Sequence, residues 1–211
     1  MHLGDAPMHS IKKTKENGRA LAICVCGMAG SGKSTLAREV SERYRLKYFS
    51  GGDALKALAL EEGYRPLDQG WWESSEGMRF LEKRRRDPRF DRTVDEKLLE
   101  VAREGNVVLD SWTMPWLLKK GFKIWLEASA EKRAERIAGR DKMSFNEAFE
   151  ALKRKEKQTK RIYEEMYGFN LGDDLNPFDF ILDTETLTAE EVFEVLCAVI
   201  EEIVLQKGTA H

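Results

Sequence analysis

No part of this chain constrains its fold more than the passage from Ala20 to Tyr44. The run ALAICVCG (Ala20 to Gly27) has no polar residue to place on a wet face, so it predicts a strand buried on both sides. Such strands belong to parallel sheets, whose crossover helices cover both faces. From Lys33 to Tyr44, Leu36, Ala37 and Val40 fall at helical spacing and predict a helix with that side inward. Between the two lies GMAGSGKST: Gly27, Met28, Ala29, Gly30, Ser31, Gly32, Lys33, Ser34 and Thr35. A buried strand that turns through glycines straight into a helix is the first half of a parallel crossover unit.

The remaining strand candidates are KYFS (Lys47 to Ser50), NVVLD (Asn106 to Asp110), FKIWLEA (Phe122 to Ala128) and DFILDT (Asp179 to Thr184). Helical patterns separate them, so the class is α/β with a parallel sheet covered by helices. Helix starts are read at the pairs Thr93…Glu96, Ser144…Glu147 and Thr188…Glu191, each a hydroxyl followed three residues later by a glutamate. Gly105 stops a helix just before the strand at Asn106. Residues 1–19 read as a flexible tail and residues 20–207 as one domain. That domain has two excursions, a helical insertion at about 52–92 and a charged segment at about 139–160.

Composition removes several classes of function. The net charge of −2 argues against a general nucleic-acid binder, and no apolar run reaches membrane-spanning length. Cys24, Cys26 and Cys197 form no disulfide framework and point to a reducing, cytoplasmic setting. His2, His9 and His211 all lie at the chain ends, which leaves no histidine for base catalysis or for a metal centre within the domain. The chemistry therefore falls to lysine, arginine, carboxylates and a bound metal ion.

Gly27-x-x-x-x-Gly32-Lys33-Ser34 is the full phosphate-binding P-loop pattern in its proper place, with a strand before and a helix after. Its glycines let backbone N–H groups turn toward phosphate oxygens, and the helix opening at Lys33 adds its positive end. The residues from Gly27 to Thr35 are thus expected to hold ATP, with Lys33 on the β- and γ-phosphates and Ser34 on Mg²⁺. Asp110, closing the apolar run VVLD, is expected to join Ser34 at the metal.

Arg133, Arg136 and Arg140 recur at helical intervals, and so do Arg154, Lys157 and Arg161 in the next helix. There Phe145, Phe149, Leu152, Thr159, Ile162 and Met166 make an inward stripe. Two such faces flanking Gly139 would close as a lid over a triphosphate, since phosphoryl transfer needs distributed positive charge more than it needs a base. The section from Ser50 to Arg92 is the natural acceptor site. It carries Lys56, Arg84, Arg85, Arg86, Arg89 and Arg92 as phosphate partners and Trp71 and Trp72 to flank a base.

The ordered set GMAGSGKST, FSGGDALKALALEEG, DRTVDEKLLEVAREGNVVLD, FKIWLEASAEKRAERIAGRD and FDFILDTETLTAEEVFEVL resembles the cytidylate kinases, in particular their compact archaeal type. The resemblance implies a P-loop kinase fold with a five-stranded parallel core, a nucleoside-monophosphate-binding insertion and a short lid. It implies transfer of the ATP γ-phosphoryl group to CMP, or to dCMP or UMP, with Mg²⁺. By position it makes Lys33, Arg136, Arg140, Arg154 and Arg161 the catalytic cations, and it places Asp53, Lys56, Arg92, Asp95 and Trp112 at the acceptor. Two of these depart from the pattern: Lys56 and Trp112 stand where the family carries arginines. Two other readings stay open, an ATP-binding regulatory protein with a degenerate acceptor site and a kinase for another small metabolite. The kinase reading makes the protein a monomer with small-molecule nucleotide substrates and no nucleic-acid or membrane partner.

Overall fold

The computed structural model describes residues 21–66 and 70–205, so the tail, the three histidines and the extreme ends of the expected domain lie outside the described residues. In chain order the elements are β1 (Ala22–Gly27), α1 (Lys33–Tyr44), β2 (Lys47–Ser50), α2 (Gly51–Glu61), a 3₁₀ turn (Trp71–Glu73), α3 (Ser75–Arg86), α4 (Arg89–Glu104) and β3 (Val107–Asp110). Then come α5 (Met114–Leu117), β4 (Phe122–Glu127), α6 (Ala130–Asp141), α7 (Phe145–Tyr167), β5 (Phe180–Asp183) and α8 (Ala189–Val199), which runs into a π-helical turn (Ile200–Leu205). The five strands form one parallel sheet in the order β2-β3-β1-β4-β5.

Every residue of β1 is buried, as its unbroken apolar run requires, and its two faces serve different layers. Ala22 and Cys24 pack with Val107 and Leu109 under α2 and α4, through Leu55, Ala59, Val94 and Leu98. Ile23 and Val25 point the other way, with Val108, Ile124 and Leu126, onto Leu36, Ala37 and Val40 of α1 and Val192 and Leu196 of α8. Fully burying each such aliphatic side chain contributes about 1.5–3 kcal/mol. Cys24 and Cys26 are free, buried thiols whose pKa is pushed up by burial, in keeping with the role of small hydrophobes.

The helix starts follow the sequence at two of the three expected capping boxes. Ser144 and Thr188 each exchange hydrogen bonds with the glutamate three residues on. The third is corrected. Thr93 and Glu96 lie inside α4, because Pro88 caps that helix and Asp87 Oδ1 accepts from Arg89 N at 3.1 Å, starting it a turn earlier. The inward stripe of α7 is corrected as well: Phe145 is exposed, and the buried face is Ala148, Ala151, Leu152, Lys155, Thr159, Ile162 and Tyr163.

Strand register sets the site. Val25 of β1 lies beside Asp110 of β3, and Ser50 of β2 pairs with Asp110 from the other side. The connections from β1 and from β3 leave toward opposite halves of the sheet, so a crevice opens beyond their carboxyl ends. In open α/β sheets ligands bind at such a point.

Candidate active site

The loop after β1 has the geometry of a cradle. Gly30 takes φ 82° and Gly32 φ 90°, left-handed conformations that side chains resist. A Cβ on Gly30 would also lie 2.6 Å from the Arg133 carbonyl oxygen. Ser and Thr side chains cap α2, α3, α6, α7 and α8. The start of α1 has no side-chain cap and no acid in its first turn. Its positive end is therefore left for an anion. The buried Ser31 Oγ also has no hydrogen-bond partner. These features fit a polyphosphate.

Asp110 is buried at the end of β3 and accepts from Tyr48 Oη at 3.2 Å. Burial, then the adjacent Asp110 charge, push the Tyr48 phenol up, so it remains a donor. Ser34 and Asp110 line the same cleft, an oxygen pair suited to a hard divalent cation. Among the described residues no three His, Cys, Asp or Glu side chains group to hold a cation unaided.

The cleft has a volume of about 290 Å³ and runs from Lys33 and Ser34 to Trp72, Arg84, Asp91, Asp95, Thr159 and Tyr163 of the insertion and α7. At its middle, Lys155 Nζ donates to Glu73 Oε1 at 2.8 Å, and Arg140 Nη2 approaches Glu73 Oε2 at 3.4 Å. Burial works to raise the Glu73 carboxyl, but Lys155 and then Arg140 hold it below the usual range. Burial pulls the Lys155 ammonium down while Glu73 opposes the shift. Trp112 donates its indole N–H to the Gly27 carbonyl at 2.6 Å. Its ring faces Lys33 Nζ at 5.3 Å and Lys155 Nζ at 5.9 Å.

The part of the cleft away from the P-loop has a polar, paired floor. Arg84 donates to Asp91 through Nε at 3.1 Å and Nη2 at 2.5 Å, both side chains only 3% exposed. Asp95 accepts from Thr113 Oγ1 at 2.5 Å and Tyr167 Oη at 2.6 Å, and burial pushes its carboxyl up to about 6. Thr159 Oγ1 is buried in this wall with no hydrogen-bond partner. A wider hollow of about 670 Å³ between Trp116, Tyr167 and Phe169 has no lysine or arginine in its lining and does not suit phosphates.

The cleft brings together Ala29, Gly30, Lys33, Ser34, Asp53, Lys56, Asp95, Asp110, Trp112 and Arg140 of the residues expected from sequence. Gly27, Met28, Ser31, Gly32 and Thr35 of the loop, and Arg92, Arg136, Arg154 and Arg161, do not line it. Arg92 lies on the outer side of α4, while Asp91 and Asp95 take the inner one. Arg136 donates to the Thr184 carbonyl at 2.6 Å and to its hydroxyl at 3.1 Å, next to β5. Arg154 is exposed on α7, and Arg161, also exposed, lies 3.8 Å from Glu165. The three arginines of α6 thus part company: Arg133 is buried on the Ala29 and Ala128 carbonyls and on Glu156, and Arg140 alone enters the cleft. Both tryptophans line the cleft, Trp71 as a buried member of the core and Trp72 as a partly exposed one. The cation that α7 does supply is Lys155, which sits within the stripe Leu152, Thr159 and Ile162 at helical spacing. Glu73 had no such signal, because nothing in a short 3₁₀ turn predicts where its side chain points.

A family model described as the cytidylate kinase-like family matches residues 22–186. The chain belongs to this family. A cytidylate kinase of Pyrococcus horikoshii is 35% identical over 184 residues, which cover 87% of this chain and 90% of that protein. A cytidylate kinase of Methanocaldococcus jannaschii is 30% identical over 188 residues, covering 87% and 99%. Among solved structures, a shikimate kinase from Bacteroides thetaiotaomicron superposes with a TM-score of 0.53 at 16% identity, covering 87% of this chain and 99% of that one. A shikimate kinase from Acinetobacter baumannii in complex with shikimate gives 0.51 at 16%, covering 88% and 96%. At such identity these structures speak for the fold alone, an α/β P-loop kinase core. Membership of the cytidylate kinase-like family makes the protein a kinase of the nucleoside monophosphate class. Trp112 donates its indole N–H to the carbonyl of Gly27 in the phosphate loop, and its ring has the ammonium groups of both Lys33 and Lys155 nearby. No helix among the described residues is long and apolar enough to cross a membrane.

Proposed function

We propose that the protein transfers the γ-phosphoryl group of ATP to CMP, giving ADP and CDP, with dCMP or UMP as weaker acceptors. The observation that carries this is the single cleft. It joins the P-loop residues Lys33 and Ser34 to the polar pocket of the insertion, with Lys155 and Arg140 where the two halves meet. The names of the relatives support CMP as the acceptor. The P-loop amides and Lys33 bind and orient the triphosphate, Trp112 fixes the loop, and the insertion and α7 enclose the acceptor and exclude water. Lys33, Lys155 and Arg140 stabilise the charge that spreads over the phosphoryl oxygens, which is where such a site makes its rate. The acceptor phosphate is already an anion, so the lack of histidine in the cleft removes nothing the reaction needs. Mg²⁺, held by Ser34 and Asp110, would neutralise phosphate charge when bound. Arg136, Arg154 and Arg161 are assigned no contact with the reacting phosphates here.

The test is ADP formation from ATP and Mg²⁺ with CMP, dCMP, UMP, AMP and GMP in turn, beside a control without acceptor. Turnover that depends on CMP supports the assignment. Equal slow turnover with every acceptor and with none overturns it.

A further inference from the structure

We propose that Glu73 is a positioning residue for phosphoryl transfer. Its carboxylate keeps Lys155 charged and aimed between the phosphate cradle and the acceptor pocket, and it ties Arg140 of the lid hairpin to the insertion. This rests on the kinase reading above but goes beyond it, since it names a residue that acts through Lys155 and Arg140.

The geometry is specific. Glu73 ends the 3₁₀ turn, and its side chain is 3% exposed although it is surrounded by cleft-lining residues. One oxygen meets Lys155 at 2.8 Å, and the other faces Arg140 at 3.4 Å. Lys155 is itself 10% exposed and lies between two indoles, 5.6 Å from the Trp72 ring and 5.9 Å from that of Trp112. The charged groups facing it from the surrounding elements are Glu73 from the turn, Arg140 from α6 and Lys33 from the start of α1. The Arg84–Asp91 pair, from α3 and α4, meets α7 further along, at Tyr163. Two of the three nearest charges are positive, so burial and repulsion both favour a neutral lysine. Glu73 is the one nearby group among them that opposes this. A neutral Lys155 would lose its hold on a phosphoryl group whose charge is spreading. In the closed ATP complex the phosphates themselves favour the ammonium, so the need for Glu73 is greatest in the free enzyme.

The experiment is the pH dependence of turnover and of ATP binding in the whole protein, wild type against Glu73→Gln, which keeps shape and removes charge. In the variant the alkaline limb of kcat/KM for ATP, which reports the free enzyme, moves at least about one pH unit lower. The alkaline limb of kcat moves less, because bound phosphates replace the lost charge. Adding Lys155→Arg to Glu73→Gln moves the kcat/KM limb back up, since a guanidinium does not deprotonate in this range. A loss of activity equal at all pH values, or a limb that stays in place, overturns the proposal and leaves Glu73 a packing residue. Should Glu73→Gln fail to fold, Lys155→Arg alone, with Glu73 still paired, must raise the wild-type alkaline limb; an unmoved limb there overturns the proposal too. Calorimetric titration with ATP separates this question from the function. If no acceptor supports turnover the kinase reading fails. The Glu73 proposal still requires ATP affinity in Glu73→Gln to fall about tenfold more than in wild type between pH 7 and pH 9.

Discussion

The Arg84–Asp91 pair offers the sharpest test of how the acceptor pocket is built. Both side chains are 3% exposed, and the guanidinium makes two hydrogen bonds, at 3.1 and 2.5 Å, with a further contact to Tyr163 Oη at 3.4 Å. Arg84→Met keeps much of the volume and leaves Asp91 buried with no counter-charge. Breaking a buried pair from one side costs about 3–5 kcal/mol, most of it the isolated charge. Arg84→Met/Asp91→Leu removes both charges and returns to within about 2 kcal/mol of wild type. With Asp91→Leu alone also costing about 3–5 kcal/mol, the coupling between the two sites is at least about 4 kcal/mol. Lys47–Glu104 supplies the contrast: its side chains are 57% and 60% exposed, and Lys47→Met costs under about 1 kcal/mol. Urea unfolding at pH 7, with m-values checked for constancy, gives all four numbers. The folded single variant has a raised KM for the acceptor and an unchanged KM for ATP, because the pair lines only that half of the cleft. An Arg84→Met cost below about 1 kcal/mol, or additive single costs, would refute the reasoning.

Three further outcomes follow from the same site. Trp112→Phe keeps a ring against Lys33 and Lys155 but loses the 2.6 Å bond to Gly27, so ATP affinity falls about fivefold, or about 1 kcal/mol; unchanged affinity by calorimetry would count against the pinning role. Thr159→Val removes the unpartnered buried hydroxyl at constant shape, so acceptor KM rises about tenfold while the melting temperature holds or rises; the reverse pattern would make the hydroxyl structural. Asp95 has its carboxyl pushed from 3.8 to about 6 by burial, so the folded protein binds the extra proton and wild type loses stability as pH rises from about 4 to about 6. Asp95→Asn abolishes that loss, worth about 3 kcal/mol across the window, and parallel stability–pH curves for the two proteins would contradict it.

What the sequence made legible was what rests on local pattern. The strand of ALAICVCG, the helix from Lys33 to Tyr44 and the caps at Ser144 and Thr188 are each fixed by neighbours in the chain, and each stands where its pattern places it. The start of α4 was misread because Asp87 and Pro88 begin the helix before Thr93 offers its own cap. At the end of β1 and at Asp110, where motif and backbone coincide, residues singled out from sequence line one cleft. Cations carried on helices were harder. A helix turns 100° per residue, so Arg154 and Lys155 differ by a step in sequence and by the difference between solvent and cleft. Helical spacing and the family resemblance named Arg154 and Arg161, which are exposed, whereas Lys155 lies in the buried stripe and lines the cleft. Glu73 and Arg84 acquire meaning only when the insertion folds back on α6 and α7, a long-range contact that periodicity does not encode.

The central claim is that one cleft passes a phosphoryl group from ATP to a nucleoside monophosphate. Incubation with γ-labelled ATP, Mg²⁺ and CMP, followed by separation of the products, tests it directly, with Lys33→Ala as the inactive control. Label recovered in CDP, and absent from CDP with Lys33→Ala, is the predicted result. Label found in inorganic phosphate at the same rate with and without CMP would contradict the account.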